Sequence, residues 1–306
     1  MLGRLLPPGR ARIVLLALLI ALLAAFVFVT AKAWRDTLAD PVVRRTSVTL
    51  PDMVPGADPV TIALISDIHI AGPDMPPERL ERIVTQINAL KPDAVLIAGD
   101  LISEKKLGTK IYSAEAAVAP LAALDARLGT FLVPGNHDHW FGWPDLRRAL
   151  AKTSVTILEN DAAQVGPLVI GGLNDEYTGH DDIAKTRTAM AKLEGAQVFL
   201  GHSPDSLPEL PEGSVVLAGH THCGQIRLPL VGAIATQSRY GKRFACGRID
   251  DPHGTAIVGA GLGTSEQKCR RTKVPSWSPT PSTVSLRTPH LPPLSQPGAE
   301  HVCGAS

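Results

Sequence analysis

The chain lacks an excess of charge of either sign, because its formal net charge is only +1 over 306 residues. Nucleic-acid-binding proteins normally present a clustered basic surface, so we expect no nucleic-acid partner. The four cysteines, Cys223, Cys246, Cys269 and Cys303, form no C-x-x-C pair, and we expect neither a thiolate zinc site nor a disulfide framework. Cys223, next to His222, is interpreted as a small packing residue.

Long apolar runs are also scarce, and residues 13–29 form the one that suits a membrane helix. Arginines precede the run and Lys32, Trp34 and Arg35 follow it, so the distribution of basic residues leaves the orientation undecided. We predict that residues 1–35 are a single-pass anchor in a bacterial inner (plasma) membrane. The alternative is a cleaved signal peptide, since Ala31-Lys32-Ala33 has the small-x-small pattern of a processing site.

We predict one α/β domain over residues 60–263, which follows a proline- and aspartate-rich linker at 36–59 leading into an edge strand. Hydrophobic residues make up 44% of the chain, enough to bury the core of such a domain. Short apolar strands alternate with helices, which indicates a parallel sheet. The five strands that matter most are predicted at 60–66, 93–98, 130–133, 197–200 and 214–218, and one long helix at 114–128.

Metal-competent side chains follow each of these five strands. Residues i and i+2 of a strand share a face, so His220 and His222 can address one point, as can Asp67 and His69. The carboxyl ends of parallel strands are where α/β sheets hold ligands. The full set is Asp67, His69, Asp100, Asn136, His137, His202, His220 and His222. Together these residues predict a metal site.

The motifs at these strand ends resemble those of the calcineurin-like metallophosphoesterase superfamily. They are D-x-H at 67–69, G-D at 99–100, G-N-H-D at 135–138, G-H at 201–202 and G-H-T-H at 219–222. All five occur in the family order. The apolar amino terminus, the G-H-T-H-x-G-Q ending at Gln225 and the G-L-G-T-S at 261–265 are most similar to a membrane-anchored branch that contains bacterial phosphodiesterases.

The resemblance implies a four-layer α/β/β/α sandwich with an N-terminal transmembrane helix and two divalent metal ions at the sheet ends. Asp67, His69 and His222 would hold the first ion, and Asn136, His202 and His220 the second. Asp100 would bridge the two ions. His137 would be the catalytic imidazole, and Asp138 the carboxylate that orients it.

Two cations neutralise phosphoryl oxygens and lower the pKa of a bound water, which is what hydrolysis of a phosphoester requires. Nitrogen and oxygen ligands suit Mn²⁺, Fe or Zn²⁺ without choosing among them. We expect a monomeric enzyme that hydrolyses a phosphodiester or pyrophosphate bond. The resemblance alone implies a lipid-linked substrate such as UDP-2,3-diacylglucosamine, an intermediate of lipid A biosynthesis. The alternatives are a phosphomonoesterase or protein phosphatase, and a catalytically inactive scaffold.

The tail, residues 264–306, is rich in proline and serine and is predicted to be disordered and without a strand. Relatives continue with a final strand, so a frameshifted carboxyl end is our hypothesis. Several residues near the motifs are predicted to be loop residues without a direct role, namely His139, Asn174, Asp175 and Tyr177; the alternative is that His139 touches substrate and the other three line the substrate groove. His180 is predicted to be solvated. Trp140, Phe141 and Trp143 form an aromatic cluster near the site that we interpret as core packing, with contact to a lipid chain as the alternative.

Overall fold

The structure is a computed structural model that describes residues 8–50, 52–53, 56–103, 110–224, 227–228, 232–233, 235–264 and 282–287. Gln225, Ser265, Cys269 and Cys303 lie outside this part of the chain. So does most of the predicted tail.

The first of two six-stranded sheets in the described chain has the order β1-β14-β2-β3-β4-β5. Its strands are Arg44–Thr49 (β1), Ser282–Arg287 (β14), Val60–Ile65 (β2), Ala94–Ala98 (β3), Thr130–Val133 (β4) and Val155–Ile157 (β5). The last four are mutually parallel, and β14 runs antiparallel to β2.

The second sheet has the order β12-β13-β9-β8-β7-β6. Its strands are Gly247–Asp251 (β12), Gly254–Val258 (β13), Ser214–Ala218 (β9), Ala196–Leu200 (β8), Leu168–Gly172 (β7) and Asp161–Val165 (β6). The four inner strands are parallel and both edge strands are antiparallel to their neighbours. A short antiparallel ladder, Arg227–Leu228 (β10) with Gly232–Ala233 (β11), lies apart from both sheets.

The two sheets pack face to face between outer layers of helix, which confirms the predicted α/β/β/α sandwich. Ile62 and Leu64 of β2 belong to the core between the sheets, whereas Ala63 and Ile65 face the helices. Alternate residues of a strand point to opposite faces, so a strand covered on both sides is apolar throughout. This explains the continuous apolar runs in the sequence.

The outer helices are Pro77–Ala89 (α2), Ala114–Val118 (α3) and Asn136–Leu150 (α4) on the first sheet, and Ile183–Met190 (α5) on the second. The predicted helix at 114–128 is wrong in its length. It becomes a 3₁₀ helix at Ala119–Ala123, which contains Pro120, and ends there. Proline cannot donate the backbone hydrogen bond that an α-helix interior requires.

The amino-terminal helix, Pro8–Leu38 (α1), is long and apolar enough to cross a membrane over Gly9–Leu38. It continues without interruption through Ala31–Ala33. Much of the predicted linker at 36–59 is ordered instead, because α1 ends at Leu38 and β1 begins at Arg44. The prediction that the linker leads into an edge strand is wrong, because β2, which follows it, lies between β14 and β3, and the edge strand is β1, inside the predicted linker.

The tail also differs from expectation. Residues 282–287 form β14, which lies between β1 and β2, so the prediction of a tail without a strand is wrong at this segment. The segment STVSLR alternates β-favouring with polar residues, and the surrounding prolines and serines hide this pattern in the composition. The frameshift stays a hypothesis.

Candidate metal centre

The carboxyl ends of β2, β3, β4, β8 and β9 meet at one edge of the sandwich, which we call the metal edge. Each predicted site residue lies in the loop or helix start that follows one of these strands. Asp67, His69, Asp100, Asn136, Asp138, His202, His220 and His222 are all buried, and His137 is partly exposed. The prediction that these strand ends converge is therefore confirmed.

The first predicted ligand group is compact. His69 Nε2 lies 3.0 Å from His222 Nε2, and Asp67 Oδ1 lies 3.3 Å from His222 Nε2. The three ligand atoms are close enough to one another to hold a metal ion. Two imidazole nitrogens at this separation need a proton or a cation between them, so this geometry fits a metal.

The second predicted group has the same character. His202 Nε2 lies 3.0 Å from Asn136 Oδ1, 3.1 Å from His220 Nδ1 and 3.2 Å from Asp100 Oδ2. Asp100 Oδ2 is also 3.6 Å from His69 Nε2. Asp100 thus lies between the two groups, which is where the predicted bridging ligand must be.

A backbone hydrogen bond fixes the tautomer of His202. Its Nδ1–H donates to the carbonyl oxygen of Ala98 over 2.8 Å, which leaves Nε2 to bind either a proton or a metal ion. Burial would lower the pKa of His202, but the Asp100 carboxylate raises that pKa well above its usual value. A cation at this position would displace the proton and take over its pairing with Asp100.

The pKa shifts of three other predicted ligands, one carboxylate and two imidazoles, also suit metal binding. Burial would raise the pKa of Asp100, but the positive charge and the hydrogen bond of His202 hold that pKa well below its usual range. Burial lowers the pKa of His220 to about 3 and also lowers the pKa of His222. His220 and His222 are therefore neutral at pH 7, which is the form that binds metal.

The backbone at the centre is strained. Among the described residues eight non-glycine residues have positive φ, and five of these are the predicted ligands Asp67, His69, Asp100, His220 and His222. Each such residue costs about 1–3 kcal/mol and persists only where the surroundings enforce it. Their concentration here indicates that the fold places these side chains at the expense of local stability.

Two motif glycines allow the loops to approach closely. A Cβ on Gly135 would lie 2.3 Å from Asp100 Oδ1, and one on Gly219 would lie 2.4 Å from Asp67 Oδ2. Neither contact is sterically allowed, so any larger residue would displace a ligand. His220 N also donates to both carboxylate oxygens of Asp67, at 3.0 and 3.1 Å, which joins the first motif to the last.

Asp138 braces the bridging residue. Its carboxylate accepts hydrogen bonds from the backbone N–H groups of Asp100 and Gly135, both at 2.9 Å, and of Leu101 at 2.7 Å. Burial, with the nearby charge of Asp100, raises the pKa of Asp138 to about 7. The contacts show Asp138 positioning Asp100, and its predicted orientation of His137 stays a prediction.

His137 lies at the opening of the centre. Its backbone N–H donates to Asp100 Oδ1 over 2.8 Å, and its ring meets that of His69 edge-on at 4.7 Å. Trp140 and Tyr177 surround the opening, with ring centroids 4.9 Å from His137 and 5.1 Å from His220, respectively. Sequence analysis placed Trp140 near the site and offered Tyr177 as a lining residue of the substrate groove, but favoured packing and loop roles, because nothing in their own segments indicates this convergence.

A second polar cluster adjoins the opening. His139 and His180 stack with ring centroids 3.9 Å apart, and His139 Nε2 lies 2.8 Å from Asn174 Oδ1. Thr178 Oγ1 lies 2.8 Å from His180 Nδ1 and donates to Asp175 Oδ2 over 2.6 Å. His180 is exposed as predicted, but it is not merely solvated.

The sequence predicted no disulfide framework, but one pair of cysteines is bridged, so the interpretation of Cys223 as a packing residue is wrong. Cys223 and Cys246 form a disulfide, with Cα atoms 4.5 Å apart. Cys223 directly follows the predicted ligand His222, so the bridge fastens the last ligand loop to the loop before β12. Cysteines 23 residues apart give no pairing signal in sequence, because the fold alone brings them together.

A four-layer sandwich whose strand ends gather buried carboxylates and imidazoles defines an α/β protein with a candidate metal site. A model of the family described as calcineurin-like phosphoesterase matches residues 60–224, just over half of the chain. The chain therefore belongs to the calcineurin-like phosphoesterase family.

Three relatives illustrate the range of the family. A Danio rerio protein named transmembrane protein with metallophosphoesterase domain is 32% identical over 58% of this chain and 43% of its own. An uncharacterized metallophosphoesterase of Campylobacter jejuni is 30% identical over 68% of this chain and 55% of its own. A second uncharacterized metallophosphoesterase, YkuE of Bacillus subtilis, is 30% identical over 70% of this chain and 76% of its own. The matched region spans about half the length of the first two relatives.

Proposed function

We propose that this protein is a dimetal phosphoesterase that hydrolyses a phosphodiester or pyrophosphate bond of a lipid-linked substrate. The observation that supports two ions is the position of Asp100 Oδ2, which lies 3.2 Å from His202 Nε2 and 3.6 Å from His69 Nε2. One carboxylate oxygen thus borders both ligand groups.

Each group has its own complement of donors. Asp67, His69 and His222 would hold one ion, and Asn136, His202 and His220 the other. Divalent ions bound there supply charge neutralisation of the phosphoryl group and a nucleophile at neutral pH. Nitrogen and oxygen donors fit Mn²⁺, Fe or Zn²⁺.

His137 is the proposed proton donor to the departing oxygen. It is the predicted site residue that is partly exposed, and its backbone is held by Asp100 Oδ1. An imidazole can donate a proton near neutral pH and so stabilise the leaving alkoxide. A bound substrate would therefore lie between His137 and the two ligand groups.

We further propose that α1 anchors the enzyme in a bacterial plasma membrane with its domain in an oxidising compartment. The length and apolar composition of α1 support its role as a membrane anchor. The Cys223–Cys246 bridge supports the compartment, because disulfides are rare where cellular thiols are kept reduced.

The test uses the purified full chain, stripped of metal and reloaded separately with Mn²⁺, Fe²⁺ or Zn²⁺. A phosphodiester, a phosphomonoester and UDP-2,3-diacylglucosamine are offered in parallel, with Asp100→Asn as the control. We expect the diester or the pyrophosphate to be cleaved by the wild type alone. Turnover of the monoester only would favour the phosphatase alternative, and equal silence of both proteins despite bound metal would indicate a scaffold.

A further inference from the structure

We infer that the metal edge faces the bilayer surface, and that the substrate is a phosphoester carried by a membrane lipid, cleaved without leaving the membrane. This inference rests on the proposed function and adds an orientation to it. It is supported by where the membrane helix joins the domain, how the junction is fixed and where apolar side chains are exposed.

The chain enters the domain at the metal edge. Arg44, the first residue of β1, pairs with Ser282, which in turn pairs with Leu64 near the carboxyl end of β2. Two strand spacings of about 4.8 Å separate Arg44 from Leu64. Only residues 39–43 connect α1 to β1, so the helix must end close to the loop that carries Asp67 and His69.

A buried arginine fixes this junction. Arg79, in the first turn of α2, donates to the carbonyl oxygen of Ala39 over 2.9 Å and to that of Asp74 over 2.7 Å. Thr264 donates to the Asp74 carboxylate over 2.6 Å, and the backbone N–H of the preceding residue, Gly263, donates to the carbonyl oxygen of Asp67 over 2.9 Å. A continuous set of hydrogen bonds thus links the end of α1 to a predicted metal ligand.

The distance from the end of α1 to the metal edge is short. His69 is two residues from Ala71, which bridges to Met75, and Asp74 and Ala39 share the Arg79 guanidinium. At about 3.8 Å per residue, this path places Ala39 within about 30 Å of His69. Residues 30–38 of α1 rise about 14 Å beyond the apolar run, whereas a headgroup layer is about 5–8 Å thick. Ala39 therefore lies just outside the headgroups.

Exposed apolar side chains point to the same edge. Beyond α1 and its junction, the large hydrophobic residues exposed in the described chain are Ile111, Trp140 and Tyr177. Trp140 and Tyr177 surround the centre, and Ile111 follows Lys110, whose carbonyl oxygen accepts a hydrogen bond from Gly72 N in the same loop as Asp74. Leu38, the last residue of α1, and Val42, in the segment that connects α1 to β1, are exposed as well. Such residues favour contact with a membrane interface.

The test compares two diesters with one leaving group. Methyl p-nitrophenyl phosphate is offered in solution, and the p-nitrophenyl ester of phosphatidic acid is offered in phosphatidylcholine vesicles that contain the full-length, metal-loaded protein. We expect kcat/KM for the vesicle-borne ester to exceed that for the soluble ester by about tenfold or more, because the fixed junction holds the metal edge at the lipid surface where this ester lies.

Two variants disturb the junction without touching the centre. A flexible Gly/Ser insertion between Leu38 and Ala39 keeps the anchor but frees the orientation of the domain relative to α1, and Arg79→Met removes the bonds to both carbonyl groups. Arg82→Met, an exposed position on the same helix, is the matched control. We expect the first two to lose the vesicle preference while keeping soluble turnover within about twofold, and the control to keep both. Soluble turnover also reports whether Arg79→Met still folds.

Hydrogen exchange gives a readout that is independent of turnover. In vesicles, residues 110–113 and 139–141 should exchange more slowly in the wild type than in the insertion variant. Equal exchange, or an insertion variant that keeps its vesicle preference, would overturn the inference while the proposed function stands. Silence toward both esters would instead count against the proposed function, and the exchange comparison would still decide the orientation.

Discussion

The first sheet brings all the carboxylates and the amide to the metal centre, whereas the second sheet brings only imidazoles. Asp67, His69, Asp100, Asn136 and His137 follow strands of the first sheet, and His202, His220 and His222 follow strands of the second. The two halves are also supported differently. Asp138 braces the first through three backbone N–H groups, while the Cys223–Cys246 bridge and a hydrogen bond from Thr221 to Ala245 hold the second.

This difference follows from charge. A buried carboxylate such as Asp100 needs donors and cations around it, and the backbone N–H groups of a tight turn supply part of that need. The neutral imidazoles of His220 and His222 need little solvation but must be aimed accurately, which the covalent and hydrogen-bonded fixation of their loop provides. Breaking each support in turn should show whether the halves are independent.

The largest effect is expected from the residue shared by both halves. Asp100→Asn keeps the shape of the side chain but removes the charge between His69 and His202. We expect kcat to fall by about 10³-fold and bound metal to fall with it, because the bridging charge is lost. Metal content by atomic emission and turnover of a diester measure this. Full activity with full metal content would exclude a bridging role.

The second effect tests the half that the disulfide supports. Cys223→Ala with Cys246→Ala removes a 23-residue cross-link, which should lower the free energy of unfolding by about 3 kcal/mol. We also expect weaker binding of metal at His222. Urea unfolding and metal titration measure the two quantities, and Cys269→Ala with Cys303→Ala is the control. Unchanged metal affinity would mean that the bridge stabilises the fold without aiming His222.

The sequence predicted which side chains meet at the metal edge, for a physical reason. Each ligand follows a buried apolar strand, and the carboxyl ends of parallel strands meet at one edge, so Asp67, Asp100 and His202 could be placed together without coordinates. Burial on both faces likewise makes the strands visible as continuous apolar runs.

Features that depend on contacts between distant segments were not predictable. The pairing of Cys223 with Cys246, the position of β14 between β1 and β2 and the approach of Tyr177 to His220 all require the folded register. The positive φ angles of the ligands also leave no mark in sequence, because aspartate and histidine adopt that conformation only where the surroundings impose it.

A third, smaller effect tests the brace of the first half. Asp138→Asn keeps one acceptor oxygen and replaces the other by an NH₂ group, so either the N–H of Leu101 or the N–H groups of Asp100 and Gly135 lose their acceptor. An unsatisfied buried donor costs about 1–3 kcal/mol, so we expect the free energy of unfolding to fall by about 2 kcal/mol. Asp145→Asn, exposed on the same helix, should change nothing. If Asp138→Asn lowers kcat alone, its role lies with His137 instead.

The smallest effect separates the hydrogen bond from the disulfide in the second half. Thr221→Val preserves shape but removes the hydroxyl that donates to the Ala245 carbonyl oxygen over 2.8 Å, which should cost about 1 kcal/mol. Thr188→Val, on the outer helix α5, is the matched control. Because Ala245 is adjacent to Cys246, the bond and the bridge hold the same loop, and their losses should not be additive. Additive losses in urea unfolding would show instead that the two supports act on different parts of the loop, and that the second half of the centre is fixed at two separate points.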